Sequence, residues 1–132
     1  VWDRVVNRNR IRVLDLTTGE DRLLTPDVLL SDGFGSFSPD SKRIMFIRYA
    51  GNTEQVMVMP ADSSAPARRM GPLYRQVPNQ DLSGFFSPDG TQVIVNESAG
   101  PEIRIVDATA GGDGRVLDWS RGTFAGWQRL AP

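Results

Sequence analysis

Apolar and polar positions fall into short runs along this chain, with turn residues between them. Arg10-Ile11-Arg12-Val13-Leu14-Asp15-Leu16 has the β-branched and apolar content of a strand. Thr17-Thr18-Gly19-Glu20 predicts a hairpin turn, and Asp21 to Thr25 a return strand ended by Pro26. A fuller unit follows. Phe34 to Ser38 predicts a strand, Pro39-Asp40-Ser41-Lys42 a turn, and Arg43 to Tyr49 the most apolar strand of the chain. After the loop Ala50 to Thr53 come a strand at Gln55 to Met59, a turn at Pro60 to Pro66 and a weak outer strand at Ala67 to Met70. Strands are then expected at Leu82 to Ser87, Gln92 to Asn96, Glu102 to Asp107 and Arg115 to Asp118. Gly71 to Asp81 is expected as a connector. No window keeps an apolar spacing of three and four, so no helix is expected.

The pattern repeats. Phe37-Ser38-Pro39-Asp40-Ser41 returns 49 residues later as Phe86-Ser87-Pro88-Asp89-Gly90, and each copy precedes an apolar run. Pro pre-sets φ for the turn, and Asp and Gly suit the positions after it. Three further segments align: Ile11 to Asp15, Val56 to Pro60 and Ile103 to Asp107. Four short strands at a period of about 45 to 49 residues is the period of a propeller blade. Blades stack face to face, so Ile44-Met45-Phe46-Ile47 can be buried on both faces without alternating.

The order aromatic-Ser-Pro-Asp-Gly, apolar strand, loop, Ile-x-Val-x-Asp strand, Gly turn, Arg-x-Leu resembles the TolB-like propeller repeat, a relative of the WD-type repeat. Phe86 to Leu117 matches well. Phe37 to Met70 departs at Ser41 and at Pro60-Ala61-Asp62, and Gln128-Arg129-Leu130 stands where members carry Ser-Pro-Asp after Trp127. The resemblance implies an all-β fold of four-stranded antiparallel blades. It also implies an extracytoplasmic setting, periplasmic or secreted, in a bacterium, with protein or small-ligand partners.

Within one segment, residues 1–132, the expected parts are a partial blade at 1–25, blades at 34–70 and 82–118, and a closing strand at 123–128. These amount to about three blade-equivalents, half of a six-bladed ring. Such a chain is expected not to close alone. Either an N-terminal half completes it, or two copies pair head to tail.

Composition narrows the chemistry. Net charge is −1, so no global basic field attracts nucleic acid or an anionic membrane. The sequence has no Cys and no His, which removes thiol nucleophiles, His bases and His ligands together. Fourteen of the 15 cationic residues are Arg, read as codon bias of a GC-rich genome. No run approaches the ~20 apolar residues of a membrane span. The opening Val1-Trp2-Asp3-Arg4 has neither a signal-peptide layout nor an initiator Met, and the chain is expected to begin inside a longer product.

Candidate chemistry is sparse. Asp40 and Asp89 invite an acid or metal reading, but Asp beside Pro serves its own turn. Ser36, Ser38 and Ser87 have no His to activate them. Gly33-Phe34-Gly35 lacks the third Gly of a dinucleotide loop. Gly111-Gly112-Asp113-Gly114 predicts a loose turn. Phe37, Phe85, Phe86 and Trp127 are expected in the core. Neither cofactor nor metal is expected, and the chain is expected not to be an enzyme.

What remains is a binding rim, formed by loops entering the innermost strands and joining the second to the third. Its candidate residues are Asp32, Tyr49, Asn52, Tyr74, Arg75, Gln80 and Asp81, from loops 27–33, 49–53, 71–81 and 98–101. Tyr, Arg, Gln and Asn are types favoured at binding surfaces. The expected function is a non-catalytic binding or scaffolding module. The alternatives are the accessory propeller of a serine peptidase and the sensor end of a membrane regulator.

Overall fold

A computed structural model describes residues 8–27, 29–97 and 102–117. The first residues of the expected partial blade, the loop at 98–101 and the closing strand at 123–128 lie outside the described residues. Among the described residues every regular element is a strand. The hairpin β1 (Arg12–Leu14) and β2 (Asp21–Leu23) forms a two-stranded sheet. Then come β3 (Ser31–Phe37), β4 (Arg43–Ala50), β5 (Thr53–Pro60) and β6 (Arg68–Arg75), an antiparallel meander in chain order. A second meander joins β7 (Ser83–Phe86), β8 (Gln92–Asn96), β9 (Ile103–Asp107) and β10 (Arg115–Val116). The all-β, antiparallel expectation holds.

The first meander is sandwiched. Cross-strand pairs Met45↔Val58 and Ile47↔Val56 face the second meander. There they meet Val93, Val95 and Val106 in one cluster. The alternate pairs, Ile44↔Met59 and Phe46↔Met57, face the β1–β2 hairpin and meet Ile11 and Leu24. That is why Ile44-Met45-Phe46-Ile47 need not alternate with polar residues. Truncating fully buried Phe46 to Ala would cost about 3–5 kcal/mol.

The two Pro-Asp corners are built alike. Ser38 Oγ donates to Asp40 Oδ1 at 2.6 Å and accepts from the Arg43 N–H at 3.0 Å. Ser87 Oγ does the same with Asp89 and Gln92, at 2.6 and 3.0 Å. The Asp that ends each Ile-x-x-x-Asp strand also has one job. Asp15 accepts from the Thr17 and Thr18 N–H groups, and Asp107 from those of Thr109 and Ala110. These side-chain turns take up backbone donors that a hairpin leaves free.

Several expectations need correction. β3 begins at Ser31, so Asp32 lies in a strand and not in a loop. β6 runs on to Arg75, so Tyr74 and Arg75 are strand residues. A register shift between Glu54 and Val56 lets β6 bend and re-pair Glu54 with Tyr74. Phe37 and Phe85 are exposed, at 53% and 42%, and not in the core. Both sit on edge strands. The β1–β2 hairpin packs over β4, β5 and, through Ile11, Gly35 of β3 without burying Phe37, and the cluster on the Phe85 face draws on β8, β9 and Leu117. Phe86 does pack against the inter-sheet core.

The glycine turn at 111–114 is not loose. Gly71 N–H donates to Gly112 O at 2.7 Å and Gly112 N–H to Arg69 O at 3.1 Å, and Arg69 also pairs with Asp113. A Cβ on Gly111 would lie 2.7 Å from Arg69 O, so only glycine admits the approach. The arginines share in this seam. Arg43 donates to Gly90 O and Ala108 O, and its guanidinium sits 5.4 Å from the Phe86 ring centre. Arg68 donates to Thr109 O. These sites use the forked donors of arginine to tie one sheet to the next.

Candidate binding cleft

At the rim opposite the Pro-Asp corners, the β4–β5 turn at Gly51-Asn52 meets the segment after β6. Gln76 N–H donates to Asn52 O at 2.8 Å, and Val77 bridges Gln80, which folds that segment into a small loop. Between turn and loop lies a cleft of about 450 Å³. Tyr49, Asn52, Gln80 and Asp81 all line it, with Glu54 and Phe34. Four of the seven rim residues selected from sequence are therefore brought together.

The other three are not. Asp32 is buried and held by Arg48, Nε to Oδ1 at 2.8 Å and Nη2 to Oδ2 at 3.0 Å. Tyr74 belongs to the inter-sheet core. Burial pushes its hydroxyl up to about 12, against the pull of nearby Arg104. Arg75 is exposed but lies opposite Thr53, outside the cleft lining.

Sequence reasoning missed Glu54. It stands opposite Tyr49 across the β4–β5 pair and is only 5% exposed. Burial raises its pKa first, and the Asp81 and Glu97 charges raise it further, while the Leu82 N–H opposes them. Burial also raises the Tyr49 pKa, with Glu54 and Asp81 adding to it. The cleft thus joins a phenol, amides and carboxylates that repel one another. Among the described residues no three acidic groups stand close enough to hold a metal ion.

An adjoining hollow of about 320 Å³ shares Phe34 and Asp81 with this cleft. Its walls are mostly apolar, with Met45, Ile47, Leu82 and Phe85. Both hollows fall in the size range that ligand sites favour. Phe34 is 76% exposed and has φ of +58°, a left-handed backbone rare for a bulky side chain.

A larger concavity, about 830 Å³, lies at the Pro-Asp corners and includes Asp40, Asp62, Asp89 and Asp107. Each of these carboxylates is already spent on its own turn. Hydrogen bonding to Ser38 and the Lys42 N–H lowers the Asp40 pKa, and Ser87 with Thr91 takes Asp89 down to about 2. Size favours this groove, but its acids are fixed through Oδ1 by their own turns, whereas the rim cleft gathers acids that no turn holds. The rim cleft is the better candidate.

No protein-family model matches the sequence, and no curated protein does. Among solved structures, hydrazine synthase from Kuenenia stuttgartiensis is similar, with a TM-score of 0.50 at 16% identity. The likeness covers 78% of this chain and 34% of that one, so the chain spans about a third of its structural neighbour. At that identity it speaks to fold alone.

Proposed function

We propose that this chain is a segment of a β-propeller, about three blade-equivalents long, that acts as a non-catalytic binding module through its rim cleft. Two four-stranded meanders stacked face to face with matching corners support the blade reading. Exposed Phe34, Phe37 and Phe85 on the edge strands β3 and β7 suit a chain completed by a neighbour. The TolB-like resemblance adds an extracytoplasmic setting. Head-to-tail pairing into a six-bladed ring is the assembly this reading favours, and light scattering tests it: a dimer is expected, and a well-behaved monomer overturns the pairing.

One observation carries the binding reading. Tyr49 near the end of β4, Asn52 in the β4–β5 turn, and Gln80 and Asp81 after β6 line one cleft. The test is a titration with a mixed set of neutral, anionic and cationic aromatic fragments, followed by amide NMR. Shifts clustered at these residues are expected. Shifts confined to the Asp40 and Asp89 groove would refute the assignment.

A further inference from the structure

We infer that the rim cleft takes an organic cation, a guanidinium or ammonium group joined to a compact apolar body. This rests on the binding reading above and names the ligand class for the same cleft. The first meander displays the chemistry inside the chain itself. Its Arg48 guanidinium is held by both oxygens of Asp32 and lies 5.2 Å from the Phe46 ring centre. Forty-nine residues on, Glu97 stands where Arg48 stands in the first meander, and because β7 lacks the bulge of β3 the register puts Leu82 opposite it with Asp81 next in the chain. The cation is replaced by an acid.

Glu54 adds a third carboxylate from β5. It is nineteen-twentieths buried, yet the charges that act on it, Asp81 and Glu97, are both negative. A buried carboxylate is ordinarily matched by a cation or several donors. Here the described donor is the single Leu82 N–H. Arg48 is held by Asp32, and Arg104, paired with Glu102 and Asp113 O, acts on Glu97 and is not among the charges that act on Glu54. A ligand cation in the cleft would play toward Glu54 and Asp81 the part that Arg48 plays toward Asp32.

The apolar body follows from the second hollow. It opens beside Asp81 and Phe34 and offers Ile47, Leu82 and Phe85. Tyr49 and Phe34 put aromatic rings at the cleft, where a cation gains a further attraction. A metal ion does not suit this geometry, because the carboxylates do not converge on one point. A planar amidinium or guanidinium bridges separated carboxylates.

The probe is benzamidine, with benzamide as its neutral counterpart and benzoate as the anion. Binding is followed by amide NMR on the intact chain, unsubstituted and as Glu54→Gln and Asp81→Asn. Benzamidinium is expected to shift Tyr49, Glu54 and Gln80 and to bind at least about tenfold more tightly than benzamide. E54Q is expected to weaken benzamidinium about tenfold and leave benzamide unchanged, and added salt should weaken only the cation. D81N, at an exposed site, gives the same test should E54Q fail to fold. If benzamide matches benzamidinium, or neither variant weakens the cation, the cation inference falls and the cleft remains a binding site. The same inference falls if benzamidinium gives no saturable shift. Shifts confined to the Asp40 and Asp89 groove overturn both.

Discussion

At the Pro-Asp corners the two meanders are near copies. Ser38 and Ser87 each donate to an Asp two residues on and accept from the N–H five residues on, with matching distances. At the far rim they part. The first meander neutralises buried Asp32 with Arg48, whereas the second sets Glu97 where an arginine would stand, so that Glu54 on β5 has acids for neighbours. The corners answer to the backbone, which needs its donors satisfied in every blade alike. The rim is under no such demand, and its charge differs from one repeat to the next. Where a repeat departs from itself without a backbone reason, the side chains are free to serve something outside the chain.

Cutting the neutralised pair is expected to have the largest effect. Arg48→Met leaves a carboxylate that is 2% exposed without its cation, at a cost of about 3–5 kcal/mol. Urea denaturation measures it, and Asp32→Asn in the same background should recover much of the loss. The matched change in the second meander, Glu97→Gln, removes an acid from an acidic set and should not destabilise. A loss below about 1 kcal/mol for R48M would erase the distinction between the two rims.

The corners differ at the left-handed turn position, Ser41 in one and Gly90 in the other, and that difference comes next in size. Ser41 has φ of +59° and Gly90 of +73°. A left-handed backbone costs an L-residue about 1–2 kcal/mol, partly offset by the greater unfolded freedom of glycine. Ser41→Gly should therefore stabilise by about 0.5–1 kcal/mol. Gly90→Ser should cost more than S41G gains. Its new Cβ would lie 3.1 Å from Arg43 Nη2, which donates to Gly90 O. Thermal melts of the two variants give the comparison, and equal and opposite shifts would exclude a role for Arg43.

Much of this fold could be read from the chain. The Phe-Ser-Pro-Asp repeat located both corners, and Gln92 to Asn96 appears as a strand with the expected ends. The uneven parts could not. The extra residue that bulges β3 between Gly33 and Ser36 leaves no mark distinct from a Gly-rich connector, so Asp32 looked like a loop residue. Gly71 to Asp81 reads as a connector, yet the register shift carries β6 past Gly71 and Pro72 to Arg75. Tyr74 reads as a rim residue because an aromatic in a polar stretch suits binding and core equally. Glu54 gave no signal. Its importance comes from burial and from acids 27 and 43 positions later, and no local pattern encodes such a meeting.

The smallest effects are pH dependences of opposite sign at the two ends of the meanders. Asp89, held to about 2 by Ser87 and Thr91 against an ordinary 3.8, contributes stability that is complete above 3.8 and is lost as pH falls toward 2. Asp89→Asn should thus be less stable than the parent at pH 7, with the gap closing on acidification. Glu54 behaves the other way. Its folded pKa is raised above 4.5, so in that window the folded chain holds more protons than the unfolded one, and stability falls as pH rises. Below 4.5 the carboxyl is protonated in both states and the penalty vanishes. E54Q should be more stable than the parent at pH 7 and equal to it below 4.5, as followed by denaturation across pH 3 to 8. Saturating benzamidinium should shrink the E54Q advantage at pH 7, because the bound cation stabilises only the parent's charged form. An E54Q advantage that ignores both pH and the cation would mean that packing, and not charge, distinguishes this rim from its partner.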